Sequence, residues 1–318
     1  MTTPTGDRGH AASAALNGGD ILVVGSINLD ILLFQDRLPV RGETYTARDV
    51  RESFGGKGAN QAVQCARLGQ RVGFIGAVGP DSRGRDCRAN LEQQGIDCHL
   101  DQVTAPTGIG VNNILDEGEL HATIVSGANA QVGPEWVRHN QSLFDTASYV
   151  LIQNEIPTDA NVEAIRQAHK AGARVVYNAA PADPATAALL RSCDYLIVNE
   201  DEAKTYLGDS WPGAEDMLKV VVGLKSFCPR VVVTLGAAGS LISFDDEVHE
   251  VPVVPVTPVD TTGAGDAFVG GFTSALNAGM TDLDAAKFAS RIAAYATMGA
   301  GAQTTMTSEW GAHDPVRA

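Results

Sequence analysis

The stretch Asp260-Thr261-Thr262-Gly263-Ala264-Gly265-Asp266 packs two carboxylates, two hydroxyls and two glycines into seven residues. It follows a Val/Pro-rich run and opens a segment of helical character that reaches about Ala278. Free N–H groups at a helix start carry partial positive charge, so Gly263, Ala264 and Gly265 can form an anion hole for a phosphoryl group in transfer. Asp266 at the same turn can accept the proton of an attacking hydroxyl, which sets a base beside that hole. Gly-Ala-Gly-Asp alone would equally suit a turn with an N-capping aspartate. The density of glycine, threonine and aspartate, followed by small Gly270 and Gly271, favours chemistry.

Ser26-Ile27-Asn28-Leu29-Asp30, at the end of the first strand-like run, sets Asn28 and Asp30 two apart and hence on one face. An amide and a carboxylate together can donate to and accept from vicinal hydroxyls, as a sugar or ribose offers. An Asx turn leaving the strand would use the same residues. Gly55-Gly56-Lys57-Gly58-Ala59-Asn60-Gln61 then opens a helix on which Lys57 and Asn60 share a face, with glycines that allow close backbone approach to a ligand. It is not a phosphate-binding Walker loop: Arg51 stands where the first glycine belongs, and Gly58 where Ser/Thr would hold magnesium. No GxGxxG follows the first strand, which counts against dinucleotide binding.

Positioning these groups requires elements that alternate. Strand-like runs at Ile21 to Ile27, Arg71 to Ile75, Val150 to Ile152, Arg174 to Tyr177 and Tyr195 to Val198 interleave with helical segments at Lys57 to Leu68, Ser82 to Gln94 and Ala160 to Ala171. This rhythm predicts an α/β fold, a doubly wound and mostly parallel sheet flanked by helices, with ligands beyond the carboxyl ends of its strands. Ile31 to Val50 and Gly108 to Val125 break the rhythm and read as short strands joined by turns such as Asp116-Glu117-Gly118. They predict a small separate β-sheet that could serve as a lid, a dimer surface, or both. Residues 1–19 read as a disordered leader, 20–310 as the folded domain and 311–318 as a tail.

The chain of 318 residues is 44% hydrophobic, carries a net charge of −15 and has a pI near 4.8, with no cluster of Lys or Arg. That balance argues against nucleic acid or an anionic membrane as partner. A nucleotide would need helix N-termini, a few placed cations and a divalent metal to offset the negative field. The five cysteines are scattered without CxxC spacing, which suggests neither disulfide framework nor zinc site. With no membrane-length apolar stretch and no secretory signal at Met1 to Gly19, the expected compartment is the cytoplasm.

Together these residues resemble the ribokinase family of sugar and nucleoside kinases, the phosphofructokinase B type, from about Ile21 to Thr305. Both family signatures are present, at 55–60 and 260–266, in the family's order and roughly two hundred residues apart. Asn28-Leu29-Asp30, Gly55 to Gln61 and Gly127-Ala128-Asn129-Ala130 match patterns typical of the family's ribokinase branch. The resemblance implies that Asn28, Asp30, Gly56, Lys57, Asn60 and Glu155 hold ribose hydroxyls and that Asp266 deprotonates the 5-hydroxyl. It further implies that Asn199 and Glu202, from Asn-x-x-Glu, orient hydrated magnesium on ATP, with Thr234 and Gly236 near the nucleotide's phosphates and ribose. Potassium would bind through Asp260, Thr262, Ala296, Gly299, Gly301 and Thr305, although Met298, Gly299, Ala300 and Thr304 depart from the family's usual residues there. A homodimer packed through the β-lid is implied as well. Kinases of deoxyribose, ketohexoses or nucleosides share the catalytic motif and stay open as alternatives. A non-catalytic sensor of sugar or nucleotide is the reading from another class.

Overall fold

Val- and Ile-rich runs that have no polar face can be strands only where both sheet surfaces are covered, and the structure covers both. It is a computed structural model describing residues 19–115, 120–245, 247–299, 301–303 and 306. The expected leader before Gly19, the 116–118 turn and the 311–318 tail lie outside the described residues. The strands are β1 (Asp20–Val24), β2 (Asn28–Gln35), β3 (Asp49–Gly55), β4 (Val72–Val78), β5 (Asp97–Gln102), β6 (Gly108–Leu115) and β7 (Leu120–Val125). Then follow β8 (Ala147–Gln153), β9 (Arg174–Asn178), β10 (Tyr195–Asn199), β11 (Val231–Thr234), β12 (Ser240–Phe244) and β13 (Glu247–Val251). The helices are α1 (Lys57–Arg67), α2 (Ser82–Gln93), α3 (Pro134–His139), α4 (Thr158–Ala171), α5 (Glu200–Leu207), α6 (Met217–Lys225), α7 (Ala264–Asn277) and α8 (Asp282–Ala296).

A nine-stranded sheet runs β13-β12-β11-β10-β9-β8-β1-β4-β5, parallel throughout except for the antiparallel edge made by β12 and β13. Buried residues of α1, α2, α7 and α8 cover one face, and those of α3 to α6 cover the other. Chain order proceeds from β1 outward through β4 and β5, then returns to β8 on the opposite side of β1 and proceeds outward again. The strand order therefore reverses between β1 and β8, and such a switch point opens a crevice at the strands' carboxyl ends. Ser26 just beyond β1 and Glu155 just beyond β8 stand there.

The segments that break the α/β rhythm form a second sheet of four strands, ordered β3-β2-β6-β7. It differs from the expected 31–50 and 108–125 at its amino-terminal half: β2 begins at Asn28, β3 runs on to Gly55, and no strand spans the residues between Gln35 and Asp49. Asn28 and Asp30 consequently belong to the small sheet and not to the end of β1. Their register partners are Gly55 and Gly108 for Asn28, and Ser53 and Gly110 for Asp30.

One packing contact aligns the two glycine motifs. Helix α7 crosses α1 at Gly270, where an added Cβ would sit 2.7 Å from Gln64 Cβ and 3.0 Å from the Gln61 carbonyl oxygen. The Cys65 thiol also donates to the Gly270 carbonyl at 3.4 Å. A mid-helix glycine costs about 1 kcal/mol relative to alanine, so its presence here is explained by the close approach and not by propensity. Gly271, on the adjacent face, lies against Ile292 of α8. Among the described residues no helix is long and apolar enough to cross a membrane.

Replacing Gly270 with Val forces α1 and α7 apart. The expected loss is about 1–3 kcal/mol of stability, by chemical denaturation, with a loss of activity larger than the residual folded fraction explains. Full specific activity in the folded Gly270→Val protein would contradict the role given to this contact.

Candidate active site

The Asp266 side chain lies at the third residue of α7 and is only 7% exposed. Its Oδ2 accepts from Asn60 Nδ2 at 2.8 Å and its Oδ1 from Gln61 Nε2 at 3.1 Å. Adjacent residues on α1 thus grip both oxygens of one carboxylate. Gly263 ends the preceding turn at φ 80°, a left-handed conformation natural to glycine, and a Cβ there would lie 2.8 Å from Ala302 Cα. The Ala264 amide closes a turn onto the Thr261 carbonyl at 3.2 Å, whereas the Gly265 and Asp266 amides at the helix start have no intrahelical acceptor. The predicted anion hole is therefore carried chiefly by Gly265 and its neighbour Asp266, with Ala264 partly engaged.

Helix α1 begins at Lys57 behind Gly56, whose φ of 88° and would-be Cβ contacts with Asn28 N (2.8 Å) and Ile27 Cα (2.9 Å) admit no side chain. This start has no side-chain cap and no acidic residue in its first turn. Glu155 supplies one from across the switch point: its Oε2 accepts from the Lys57 amide at 3.0 Å and from Ser26 Oγ at 2.6 Å. Glu155 thus ties β1, β8 and α1 together.

Asn28, 2% exposed, accepts at Oδ1 from Asn129 Nδ2 at 2.8 Å. Asn129 also brackets the Ile27 backbone, accepting from its amide at 2.9 Å and donating to its carbonyl at 3.0 Å. Among the described residues the Asn28 Nδ2 donor has no acceptor, which leaves it for a hydroxyl oxygen. Side chains at Gly55 and Gly110 would collide with the Asp30 carboxylate, and one at Gly108 with Asn28 Oδ1. These glycines of the small sheet make the room in which two polar side chains point toward the cleft. Asp30, 8% exposed, has an Oδ1 without a well-formed hydrogen bond, and a buried carboxylate oxygen of that kind calls for a donor from a ligand.

Asn199 and Glu202 form a reciprocal capping box at the start of α5, each backbone amide donating to the other's side chain at 2.8 Å. Asn199 is register partner to Thr234, so the ends of β10 and β11 present Asn199, Glu202 and Thr234 side by side. Gly236, at φ 53°, turns the chain after β11 with open space over its Cα. Farther along, Asp260 accepts from the Thr262 and Gly301 amides, both at 2.9 Å, and its own amide donates to the Thr297 carbonyl at 3.1 Å, just past Ala296 at the end of α8. Asp260, Thr262, Ala296 and Gly301 are thereby gathered in one loop cluster, with Gly299 in the same segment. Thr305, like Ala300 and Thr304, lies outside the described residues.

The charges in this cleft oppose one another. Burial raises the Asp266 carboxyl, against the pull of Lys57, Asn60 and Gln61, and Glu155 raises it further. Burial would lower the Lys57 ammonium, but the carboxylates of Asp266, Glu155 and Glu202 outweigh it and hold the group charged. Glu202 is raised, chiefly by burial, while the Asn199 amide and Lys57 pull it down. Burial, then Glu155 and Asp266, push Asp30 up to about 6, with only the Gly110 backbone opposing. One lysine among four acidic groups is an arrangement that needs donors from a ligand.

Several of these residues were not singled out from sequence. Gln61, Ser26 and Gln303 carry no motif of their own, and Asn60 Oδ1 accepts from Gln303 Nε2 at 2.9 Å across 243 positions. Gln61 stood inside the quoted glycine motif, beside Asn60; its neighbourhood was the available signal.

Because Asp30 is raised from 3.8 to about 6, folding binds a proton that the unfolded chain releases between those values. Its contribution is intact below pH 3.8 and is lost as pH rises through 6, a cost of about 3 kcal/mol above that point. Asp30→Asn is expected to stabilise the ligand-free protein by up to that amount at pH 8 and little at pH 4, measured by denaturation at both values, while weakening ligand binding. An unchanged pH dependence of stability in the variant would refute this assignment.

Residues 19–309 match the pfkB family of carbohydrate kinases. The ribokinase of Bacillus subtilis is 33% identical over 289 residues, covering 90% of this chain and 96% of the relative. Mouse ribokinase is 36% identical over 259 residues, covering 79% of each chain. The solved structure of Arabidopsis thaliana ribokinase complexed with ribose and ATP superposes with a TM-score of 0.83 at 31% identity, covering 91% of this chain and 96% of that one. The chain thus belongs to the pfkB family of carbohydrate kinases.

Proposed function

We propose that the protein is a ribokinase, a phosphotransferase that moves the γ-phosphoryl group of ATP onto the 5-hydroxyl of D-ribose. The observation that carries this reading is the Asp266 carboxylate, held by Asn60 and Gln61 at a glycine-led helix start over the crevice between β1 and β8. Asn28, Asp30, Gly56, Lys57, Asn60 and Glu155 border the sugar. The Asp30 oxygen without a well-formed hydrogen bond and Asn28 Nδ2, with no acceptor among the described residues, suit a pair of vicinal hydroxyls, one donating and one accepting. Asp266 takes the proton of the 5-hydroxyl as its oxygen attacks. Burial makes that carboxylate a stronger base than a solvated one, and Lys57 opposes the shift. The amides at the start of α7, Gly263 to Asp266, meet the charge that gathers on the transferred group.

Thr234 and Gly236 border the nucleotide's phosphates and ribose. The capping box engages Glu202 Oε2 and leaves Oε1 for the water shell of a magnesium ion on ATP, which would bridge and neutralise the phosphates. Among the described residues no group of three or more His, Cys, Asp or Glu side chains could hold a metal. Asp260 has both oxygens on backbone amides, so a potassium ion here would rest on carbonyls of the Asp260, Thr262, Ala296, Gly299 and Gly301 cluster. The small sheet acts as a lid that excludes water from the transfer. Val50 and Val125, which share one face of its strands, are 57% and 51% exposed, which supports a homodimer joined lid to lid. We place the enzyme in the cytoplasm.

ADP release is measured with ATP, magnesium and potassium against ribose, deoxyribose, fructose, adenosine and pseudouridine. Ribose is the expected best substrate, and Asp266→Asn is expected to lose at least a hundredfold in kcat. Preferential turnover of another acceptor would correct the substrate, and ATP binding without any turnover would favour a sensor. Replacing Val50 and Val125 with Asp is expected to convert the dimer to monomer in light scattering; an unchanged mass would refute the lid-to-lid arrangement.

A further inference from the structure

The Asp266 carboxylate has two gripping amides, and they differ in kind. Asn60 belongs with the expected sugar contacts, and its own oxygen is held by Gln303 Nε2 at 2.9 Å. Gln61 is fully buried, its side chain enclosed by the Gln153 and Asn178 amides and the Asp266 carboxylate. Its Oε1 accepts from Gln153 Nε2 at 2.6 Å. Its Nε2 donates one hydrogen to Asn178 Oδ1 at 3.1 Å and the other to Asp266 Oδ1 at 3.1 Å. All three hydrogen-bonding directions that matter are therefore fixed. A side-chain amide can rotate by half a turn with little change in shape, and a reversed Gln61 would set its oxygen against the carboxylate. Asn178 opposes that reversal most firmly, because its Nδ2 is tied to the Ile197 carbonyl at 3.2 Å and its Oδ1 would then face an oxygen; Gln153 Nε2 would meanwhile face an NH2 group.

We propose that Gln61 is a positioning residue for Asp266, with its amide polarity set by Gln153 and Asn178, so that the carboxylate keeps one oriented oxygen for the sugar hydroxyl. This rests on the reading of Asp266 as the base. The relay consists of neutral groups only, so it adds no charge to a cleft already crowded by carboxylates. A lysine in the place of Gln61 would neutralise the base, and an apolar residue would leave a buried carboxylate oxygen short of a partner. Charged and titratable groups facing Asp266 are Lys57 on α1, Glu155 beyond β8, Glu202 on α5 and Asp30 on β2. Among the described residues none of their side chains hydrogen-bonds the Gln61 amide group, whose partners are Asn178, Asp266 and Gln153, and a donor hydrogen bond withdrawn from the carboxylate raises its proton affinity whatever they do. Gln153 offers the cleanest test. Its Oε1 is buried without a hydrogen bond, so an isosteric apolar replacement removes an unsatisfied acceptor along with the bond to Gln61.

The test uses Gln61→Met, Gln153→Met and Asp266→Asn in the full chain, with kcat and KM for ribose measured across pH at saturating ATP. Under saturating ribose the acid limb of kcat reports the base in the loaded enzyme and not the sugar affinity. Gln61→Met is expected to lower kcat on the order of tenfold to a hundredfold and to move the acid limb up by about one pH unit, with the ribose KM within about twofold. Gln153→Met is expected to shift both in the same direction by less, with unfolding stability close to that of the parent. Asp266→Asn separates the two claims. If it retains activity, the base is elsewhere and the reading of the site fails. If it is inactive while Gln61→Met and Gln153→Met keep the parent's acid limb, or alter KM in place of kcat, the base stands and the positioning role is overturned. Should Gln61→Met not fold, Gln153→Met alone decides.

Discussion

Everything in the cleft depends on how closely α1 can approach α7. Gly270 sets that distance, and one helical turn before it stands Asp266, within reach of Asn60 and Gln61. Were the helices a methyl group farther apart, the carboxylate would be buried with no donors, a state that costs far more than the hydrogen bonds return. The glycine thus links a packing requirement to a chemical one. It also explains why two motifs some two hundred residues apart must coexist: one supplies the carboxylate and the helix-start amides, the other the amides that hold the carboxylate still.

A second constraint is electrostatic. Asp30, Glu155, Glu202 and Asp266 crowd around Lys57, and burial raises three of these carboxyls. Such a cluster is unfavourable without partners, and the fold sustains it through fixed local donors: the Lys57 amide and Ser26 hydroxyl on Glu155, the Asn199 amide on Glu202, and the α1 amides on Asp266. Asp30 is the member left short. Its exposed energetic deficit is what a polyhydroxyl ligand can offset, so affinity for the sugar and instability of the empty cleft have the same origin. The chain's net charge of −15 sharpens the point, because attraction for a polyphosphate must come from short-range dipoles at α5 and α7 and not from the long-range field.

The large sheet and most of its helices were legible because uninterrupted Val/Ile runs and the helical spacing of apolar residues announce them: α1, α2, α4 and α7 fall within a few residues of their expected limits. The carboxylate proposed as the base and the glycine turn before it stand out from residue type alone. What the sequence concealed was partnership at long range. Glu155 capping α1, Gln303 holding Asn60, and Asn129 bracketing Ile27 join residues 98, 243 and 102 positions apart, and no local pattern encodes such pairs. The boundary of the small sheet was misread for a related reason. Asn28 and Asp30 continue from β1 without a break in character, and only their pairing with Gly55, Gly108 and Gly110 removes them from the large sheet. The sequence places Gly55 in a motif for close backbone approach and Gly108 at the start of a strand run, whereas all three glycines serve as space for polar side chains.

Because the proposed mechanism assigns one hydroxyl to one base, the identity and position of the new phosphate ester test the account most directly. Phosphorus and carbon NMR of the product formed from ATP and ribose should reveal ribose 5-phosphate as the sole ester, formed in step with ADP. An ester at another carbon, or free phosphate appearing without any sugar ester, would contradict the placement of the sugar against Asp266.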